Sequence, residues 1–168
     1  MKISGYIVAV VLFLATGCST FSPECELVVQ PYAMVSSGSD IQTPAYMARV
    51  YAFYVDEREA LEFSWQPDSY TDAEAGIVRH RTTGEVRSHG LAAGQGDDDY
   101  IHLVLSSSPV LLVAIDPING LCAWRVFKYQ MPLERVFVPV TFKSYQSTPY
   151  KENEWTFMSK NDKNDETE

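Results

Sequence analysis

Apolar residues along the chain fall into short segments separated by Gly, Pro, Asn and Asp. Ile101, Leu103 and Leu105 occupy every second position of residues 100–105, which is the period of a strand with one buried face. The segments are rich in Val, Ile, Tyr and Phe, residues that strands favour. The pattern predicts strands over residues 26–35, 46–55, 59–65, 76–80, 100–106, 110–115, 121–129 and 136–142.

The clearest hairpin lies in the middle of the second half of the chain. Residues 110–115 (VLLVAI) are apolar at every position, which is typical of a central strand covered on both faces. The turn sequence DPING follows, and then the apolar residues 121–127. Proline suits an early turn position, and Asn-Gly supplies the positive φ that a reversal needs. We therefore expect these two strands to pair.

A helical pattern occurs in residues 69–75, where Ser or Thr can cap the first turn, acids follow, and Gly76 ends the segment. Many short strands with so little helix favour a mainly β fold. We predict an antiparallel β-sandwich of immunoglobulin-like or prealbumin-like kind with one short helix, and a small β-barrel is the alternative.

The N-terminus has the pattern of an export signal. Met1-Lys2 precede an uncharged apolar run over residues 3–15, which is too short for the ~20 residues of a spanning helix. Residues 14–18 (LATGC) resemble the bacterial lipobox, which implies cleavage before Cys18 and its acylation. Ser19 follows where inner-membrane lipoproteins carry Asp, which implies an outer-membrane location. An ordinary signal peptide or an uncleaved anchor is the alternative.

These features predict the organisation of the chain and its attachment to a lipid bilayer of the cell envelope through Cys18. We expect a signal peptide at residues 1–17, a tether at 18–24, one domain at 25–158, and a disordered acidic tail at 159–168. Acidic residues outnumber basic ones by 22 to 13, which argues against nucleic acid as a partner. Cys25 and Cys122 are candidates for a disulfide in an oxidising compartment, and two buried free thiols are the alternative.

No catalytic motif or cofactor signature occurs in the sequence. His80, His89 and His102 belong to no recognisable motif, and Gly-x-Ser-x-Gly, His-Glu-x-x-His and Cys-x-x-Cys are absent. The best candidates for holding a hard cation are Asp97, Asp98 and Asp99, but a solvated turn is the favoured interpretation of this segment. A separate acidic group is expected to line a strand edge, where charge discourages association: Asp56, Glu57, Glu59 and Glu62.

Several aromatic residues lie outside the best core segments and offer a binding hint, because exposed rings stack on sugars or anchor protein partners. Core and sheet-edge packing is the favoured interpretation for them. They are Trp65, Tyr70, Trp124, Tyr145, Tyr150 and Trp155. Residues 145–155, after the last predicted strand, are where we expect an exposed aromatic surface.

Four segments resemble small uncharacterised lipoproteins of Bacteroidetes-type bacteria: ARVYAFYV at 48–55, SYTDAEAG at 69–76, PVLLVAIDP at 109–117 and AWR at 123–125. The resemblance covers residues 45–142 and implies a secreted β-sandwich without naming an activity. The leading hypothesis is a membrane-anchored, non-enzymatic binding or assembly module for protein or glycan. The alternatives are a carboxylate-dependent glycan-processing hydrolase or accessory protein, and an inhibitor or stress lipoprotein that offers a loop or edge strand.

Overall fold

A computed structural model describes residues 24–34, 41–64, 76–87, 90–95, 100–130, 135–143 and 148–158. The described part is mainly β, as predicted. It contains a 3₁₀ helix at Val55–Ala60 and the strands β1 (Cys25–Met34), β2 (Gln42–Pro44), β3 (Arg49–Tyr54), β4 (Leu61–Ser64), β5 (Ile77–His80), β6 (Ala92–Gln95), β7 (Ile101–Leu105), β8 (Val110–Asp116), β9 (Leu121–Phe127), β10 (Arg135–Phe142) and β11 (Thr156–Met158).

Two larger sheets and a small hairpin make up the described fold. In the first sheet β10 pairs with one side of β1, and β7 and β2 pair with successive halves of its other side. The second sheet has the order β11-β9-β8-β3-β6, and β4 pairs with β5 alone. No sheet closes on itself within the described ranges, so the fold is consistent with a sandwich and not with a barrel. Pairing is antiparallel except between β1 and β10, which are parallel.

The main core lies between the two larger sheets. The inward-facing residues of β1 and β10 pack with those of β3 and β8 from the second sheet. Fully burying one such aliphatic side chain contributes roughly 1.5–3 kcal/mol. Members of this cluster include Leu27, Val29, Val50, Leu112, Val138 and Phe142.

A second core covers the opposite face of the second sheet. The 3₁₀ helix and the β4–β5 hairpin lie over this face, and they bury Leu61, Phe63 and Val78 against Phe53 and Val113. Every residue of β8 is therefore buried, since its two faces point into different cores. This confirms the prediction that residues 110–115 form a central strand covered on both sides.

The predicted hairpin joins β8 and β9, which pair from Val110↔Phe127 to Asp116↔Leu121. The turn is closed by the buried carboxylate of Asp116. Its Oδ1 accepts hydrogen bonds from the backbone N–H groups of Ile118 at 3.1 Å and Asn119 at 3.2 Å. Gly120 has φ 61°, a value that suits glycine. These bonds explain how a carboxylate is accommodated in the interior.

The structure differs from the predicted elements in several places. Residues 55–60 form a 3₁₀ helix where strands had been predicted to end and begin, and the Glu57 carboxylate accepts a hydrogen bond from the Tyr54 N–H at 3.1 Å at its start. The strands β2, β6 and β11 were not predicted, because three or four residues show too little periodicity. The helix predicted at 69–75 lies outside the described residues.

No helix in the described ranges is long and apolar enough to cross a membrane.

Candidate functional site: a cleft between β10 and the loop before β11

The loop at residues 148–155 is closed on itself by Thr148. The Thr148 N–H donates to the Phe157 carbonyl at 3.1 Å, and the Thr148 hydroxyl oxygen accepts from the Phe157 N–H at 2.8 Å. A second bond inside the loop joins the Glu154 N–H to the Lys151 carbonyl at 3.2 Å. Asn153 adopts φ 61°, a conformation that Asn tolerates better than most residues. The loop therefore has a defined conformation of its own.

Two contacts fix this loop to the sheets. The Tyr150 ring stacks on Trp124 of β9, with centroids 5.3 Å apart and planes 9° from parallel. On the other side, the Trp155 indole N–H donates to the Pro139 carbonyl of β10 at 2.9 Å. The loop thus bridges an edge strand of the first sheet and the second sheet.

A cleft of about 500 Å³ lies beside this bridge. Its volume is within the range of small-molecule sites, ~300–1,000 Å³. The residues that line it come from β9, β10, β11 and the loop: Arg125, Thr141, Lys143, Thr148, Pro149, Lys151, Asn153, Glu154, Trp155 and Phe157.

The cleft is positively charged although the chain as a whole is acidic. Arg125, Lys143 and Lys151 line it together with one carboxylate, Glu154, which lies 3.3 Å from the Lys151 ammonium. No carboxylate of the described residues pairs with Arg125 or Lys143. This leaves an excess of positive charge in a concave site, which favours an anionic ligand.

Arg125 is the most unusual of these cations. Its guanidinium lies 5.6 Å from the centroid of the Phe127 ring and 5.6 Å from that of Trp155. Its Nε is buried and has no hydrogen-bond partner among the described residues, and burial lowers the pKa of Arg125. A charged donor left without a partner costs free energy, which a bound anion at the guanidinium would offset.

The structure brings together three of the aromatic residues that the sequence had singled out. Trp124 and Tyr150 stack to hold the loop, and Trp155 lines the cleft. Trp65, Tyr70 and Tyr145 lie outside the described residues.

The candidate disulfide is not formed. Cys25 and Cys122 are free and buried, and they belong to different cores on opposite faces of the second sheet. Burial raises the pKa of both thiols. The structure therefore agrees with the alternative of two buried free thiols, which are unreactive in such surroundings.

The described histidines take part in surface contacts. His80 Nδ1 accepts from the Thr83 N–H at 3.3 Å within a turn. His102 Nδ1 lies 2.9 Å from Glu26 Oε1, and the Arg135 Nε–H donates to Glu26 Oε2 at 2.7 Å. These two hydrogen bonds hold the pKa of Glu26 below its usual range. The contacts account for the polar side chains without a catalytic role.

The acidic group expected at a strand edge lies mostly on the 3₁₀ helix, which carries Asp56, Glu57 and Glu59, whereas Glu62 is exposed on β4. Glu57 also accepts a hydrogen bond from Arg87. Cys18, His89 and the candidate cation ligands Asp97, Asp98 and Asp99 lie outside the described residues. Within the described ranges, no three His, Cys, Asp or Glu residues come close enough to hold a metal ion.

The cations of the cleft were not identified from the sequence. Lys143 and Lys151 are separated from Arg125 along the chain, and only the fold brings them together. A signal was present at Arg125, which interrupts the apolar strand LCAWRVF directly after a tryptophan. A charged residue inside a buried strand indicates either a partner or a ligand.

No known protein family, no curated protein and no solved structure matches the chain. The resemblance to small bacterial lipoproteins therefore stays a prediction. The fold and the cleft define a mainly β protein with a basic cleft between β10 and the loop before β11.

Proposed function

We propose that this chain is a lipid-anchored protein of the cell envelope, and that its β-sandwich binds a glycan or protein partner through the cleft beside Arg125. The observation that carries the proposal is a half-buried arginine whose Nε has no hydrogen-bond partner among the described residues, in a cleft with two lysines on an otherwise acidic chain. An anion bound at the guanidinium would stabilise this group through charge-assisted hydrogen bonds.

The N-terminal sequence supports the anchor. Residues 1–18 combine a basic start, a short apolar run and a lipobox-like end. Acylation with more than one chain gives stable attachment, whereas a single chain binds only marginally. An extended chain spans at most ~3.6 Å per residue, so Cys18 would hold the start of β1 within about 25 Å of a bilayer. The proposed location is the outer membrane.

The composition of the cleft favours binding over hydrolysis. Glycoside hydrolysis uses two carboxyl groups about 5–10 Å apart, one of them with a raised pKa. The described lining of the cleft contains one carboxylate, Glu154, and that group pairs with Lys151. Glu26 and Glu152, which lie elsewhere, have pKa values lowered by their hydrogen-bond partners.

Crosslinking in the native host tests binding at the cleft. A photo-crosslinking amino acid in place of Pro149 lies on the cleft lining, and the same group in place of Glu62 lies on an exposed strand away from it. We expect an adduct of defined mass from the first position and none from the second. Equal adducts from both positions, or none from either, would contradict the proposed function.

The mass of the mature N-terminal peptide from a membrane fraction tests the anchor independently. We expect Cys18 to carry two or three acyl chains, and Cys18→Ser to release the domain from membranes. An intact Met1, or an N-terminus beyond Cys18, would refute the anchor and leave binding at the cleft to be judged by the crosslinks.

A further inference from the structure

We infer that the cleft beside Arg125 recognises a carboxylate-bearing sugar of an acidic glycan. This inference rests on the proposed binding function and names the ligand class of the same site. It follows from three features of the cleft: its charge, the state of the strand edges beside it, and the chemistry of its other walls.

The charge of the cleft matches a carboxylate. Arginine presents a planar fork of donors that fits the two oxygens of a carboxylate, and a paired hydrogen bond of this kind is stronger than one between neutral groups. Lys143 and Lys151 add positive charge on the same lining, while Glu154 is already engaged with Lys151. A neutral ligand would bring no negative charge to balance the positive charge of Arg125.

The edge of β10 cannot pair with an added peptide strand at Pro139. Within a strand, the N–H and C=O of one residue point to the same side. The Pro139 carbonyl points away from β1, to the indole of Trp155, and proline has no N–H to offer at that edge. The Pro139 carbonyl is therefore already bonded to the Trp155 indole, and the backbone N–H that a peptide strand would need at this position does not exist.

The edge of β11 is closed in a similar way. The Phe157 N–H and C=O are both bonded to Thr148, one to its side chain and the other to its backbone. An extended peptide gains most of its affinity from backbone hydrogen bonds to a free strand edge. Since Pro139 and Phe157 do not offer them, these two positions favour a ligand that is bound by side chains, as a sugar is.

The remaining walls suit a sugar. Aromatic rings offer apolar surface to the C–H groups of a pyranose, and Trp155 lines the cleft as a half-buried ring, whereas Phe157 is buried beneath the lining. Thr141 and Asn153 supply a hydroxyl and an amide on the same lining for ligand hydroxyl groups. A few polar groups on an apolar base are typical of small-molecule sites.

Titration calorimetry of the purified protein tests the inference with sugar acids and their uncharged analogues. The probes are oligomers of galacturonic and glucuronic acid, N-acetylneuraminic acid, and the methyl ester of each. We expect at least one acid to bind at least tenfold more tightly than its ester, and Arg125→Gln to remove that difference. Arg58→Gln is the matched control, because Arg58 also lies over aromatic rings but not in the cleft. Thermal melting of each variant establishes that it is folded.

Three outcomes would overturn the inference: no acid binds, the esters bind as tightly as the acids, or Arg58→Gln weakens binding as much as Arg125→Gln. A hexamer of glutamate that binds more tightly than every sugar acid would also overturn it and assign the cleft to acidic peptides. If a protein adduct also formed at position 149, the proposed binding function would still hold, and only the assignment of a sugar ligand would be wrong.

Discussion

Arg58 and Arg125 have similar aromatic neighbours and opposite surroundings. Arg58 lies 4.6 Å from the Trp124 ring and 5.5 Å from the Phe63 ring, at the second core. Arg125 follows Trp124 directly along β9 and therefore points to the other face of the sheet, where it lines the cleft. Each has a buried Nε without a partner among the described residues. The ring contacts of Arg58 therefore lie at a core, whereas those of Arg125 lie at a cleft where a ligand could reach the guanidinium.

Replacing Trp124 is expected to have the largest effect, since this ring contacts both Arg58 and Tyr150. Trp124→Ala should lower the free energy of unfolding by about 3 kcal/mol. Trp155→Ala loses the hydrogen bond to Pro139 and should cost about 1–2 kcal/mol. Urea denaturation measures both variants. If Trp155→Ala lowered the free energy of unfolding more than Trp124→Ala does, the larger structural role would belong to the cleft side and not to the Arg58 side.

The two arginines should differ in what they contribute to stability. Arg58→Gln loses contacts with two rings and should cost about 1–2 kcal/mol. Arg125→Gln should change the free energy of unfolding by less than about 0.5 kcal/mol, because both of its ring contacts are longer, at 5.6 Å, and burial disfavours its charge and lowers the pKa of Arg125. Equal losses in urea denaturation would remove the distinction between the two sites.

The loop on the cleft side depends on the Thr148 hydroxyl. Thr148→Val removes the acceptor of the Phe157 N–H and should cost about 1 kcal/mol. Amide hydrogen exchange at Phe157 should become faster. Thr83→Val is the matched control, since the Thr83 hydroxyl accepts from the Glu85 N–H at 3.3 Å in an exposed turn. Unchanged exchange at Phe157 would show that the loop is held by other contacts.

The smallest expected effect concerns the exposed ion pair between Lys128 and Glu152 on the outside of the loop. The hydrogen bond from Lys128 lowers the pKa of Glu152 in the folded state, so the pair stabilises the fold above the pKa of the unfolded state. This contribution is lost as the pH falls through the folded pKa. Carboxyl titration by NMR should show Glu152 titrating at lower pH than in Lys128→Met, and identical curves would contradict the pair.

Much of the fold could be predicted because burial leaves a periodic pattern in the sequence. The alternation in β7 and the continuous apolar run in β8 identified the two kinds of strand. The parallel pairing of β1 with β10 could not be predicted, since pairing depends on how distant segments meet. The 3₁₀ helix at Val55–Ala60 interrupts a stretch of strand-like composition and is fixed by contacts of Glu57.

The candidate site was predicted only in part, for a similar reason. Residues 145–155 were the segment where an exposed aromatic surface fitted the sequence best, and Trp155 lines the cleft. The joining of Arg125 with Lys143 and Lys151 depends on the fold, so no spacing in the sequence marks it. The disulfide candidate failed because Cys122 lies on the face of β9 that points away from the core containing Cys25.

The most direct test of the central claim is an NMR titration of the domain with the sugar acid that binds most tightly, observed at the indole N–H signals. Trp155 lines the proposed site, whereas Trp124 faces the second core and serves as an internal reference. The account predicts that the Trp155 signal shifts in proportion to bound ligand while the Trp124 signal moves little. A shift confined to Trp124, or saturation of binding with no change at Trp155, would contradict it.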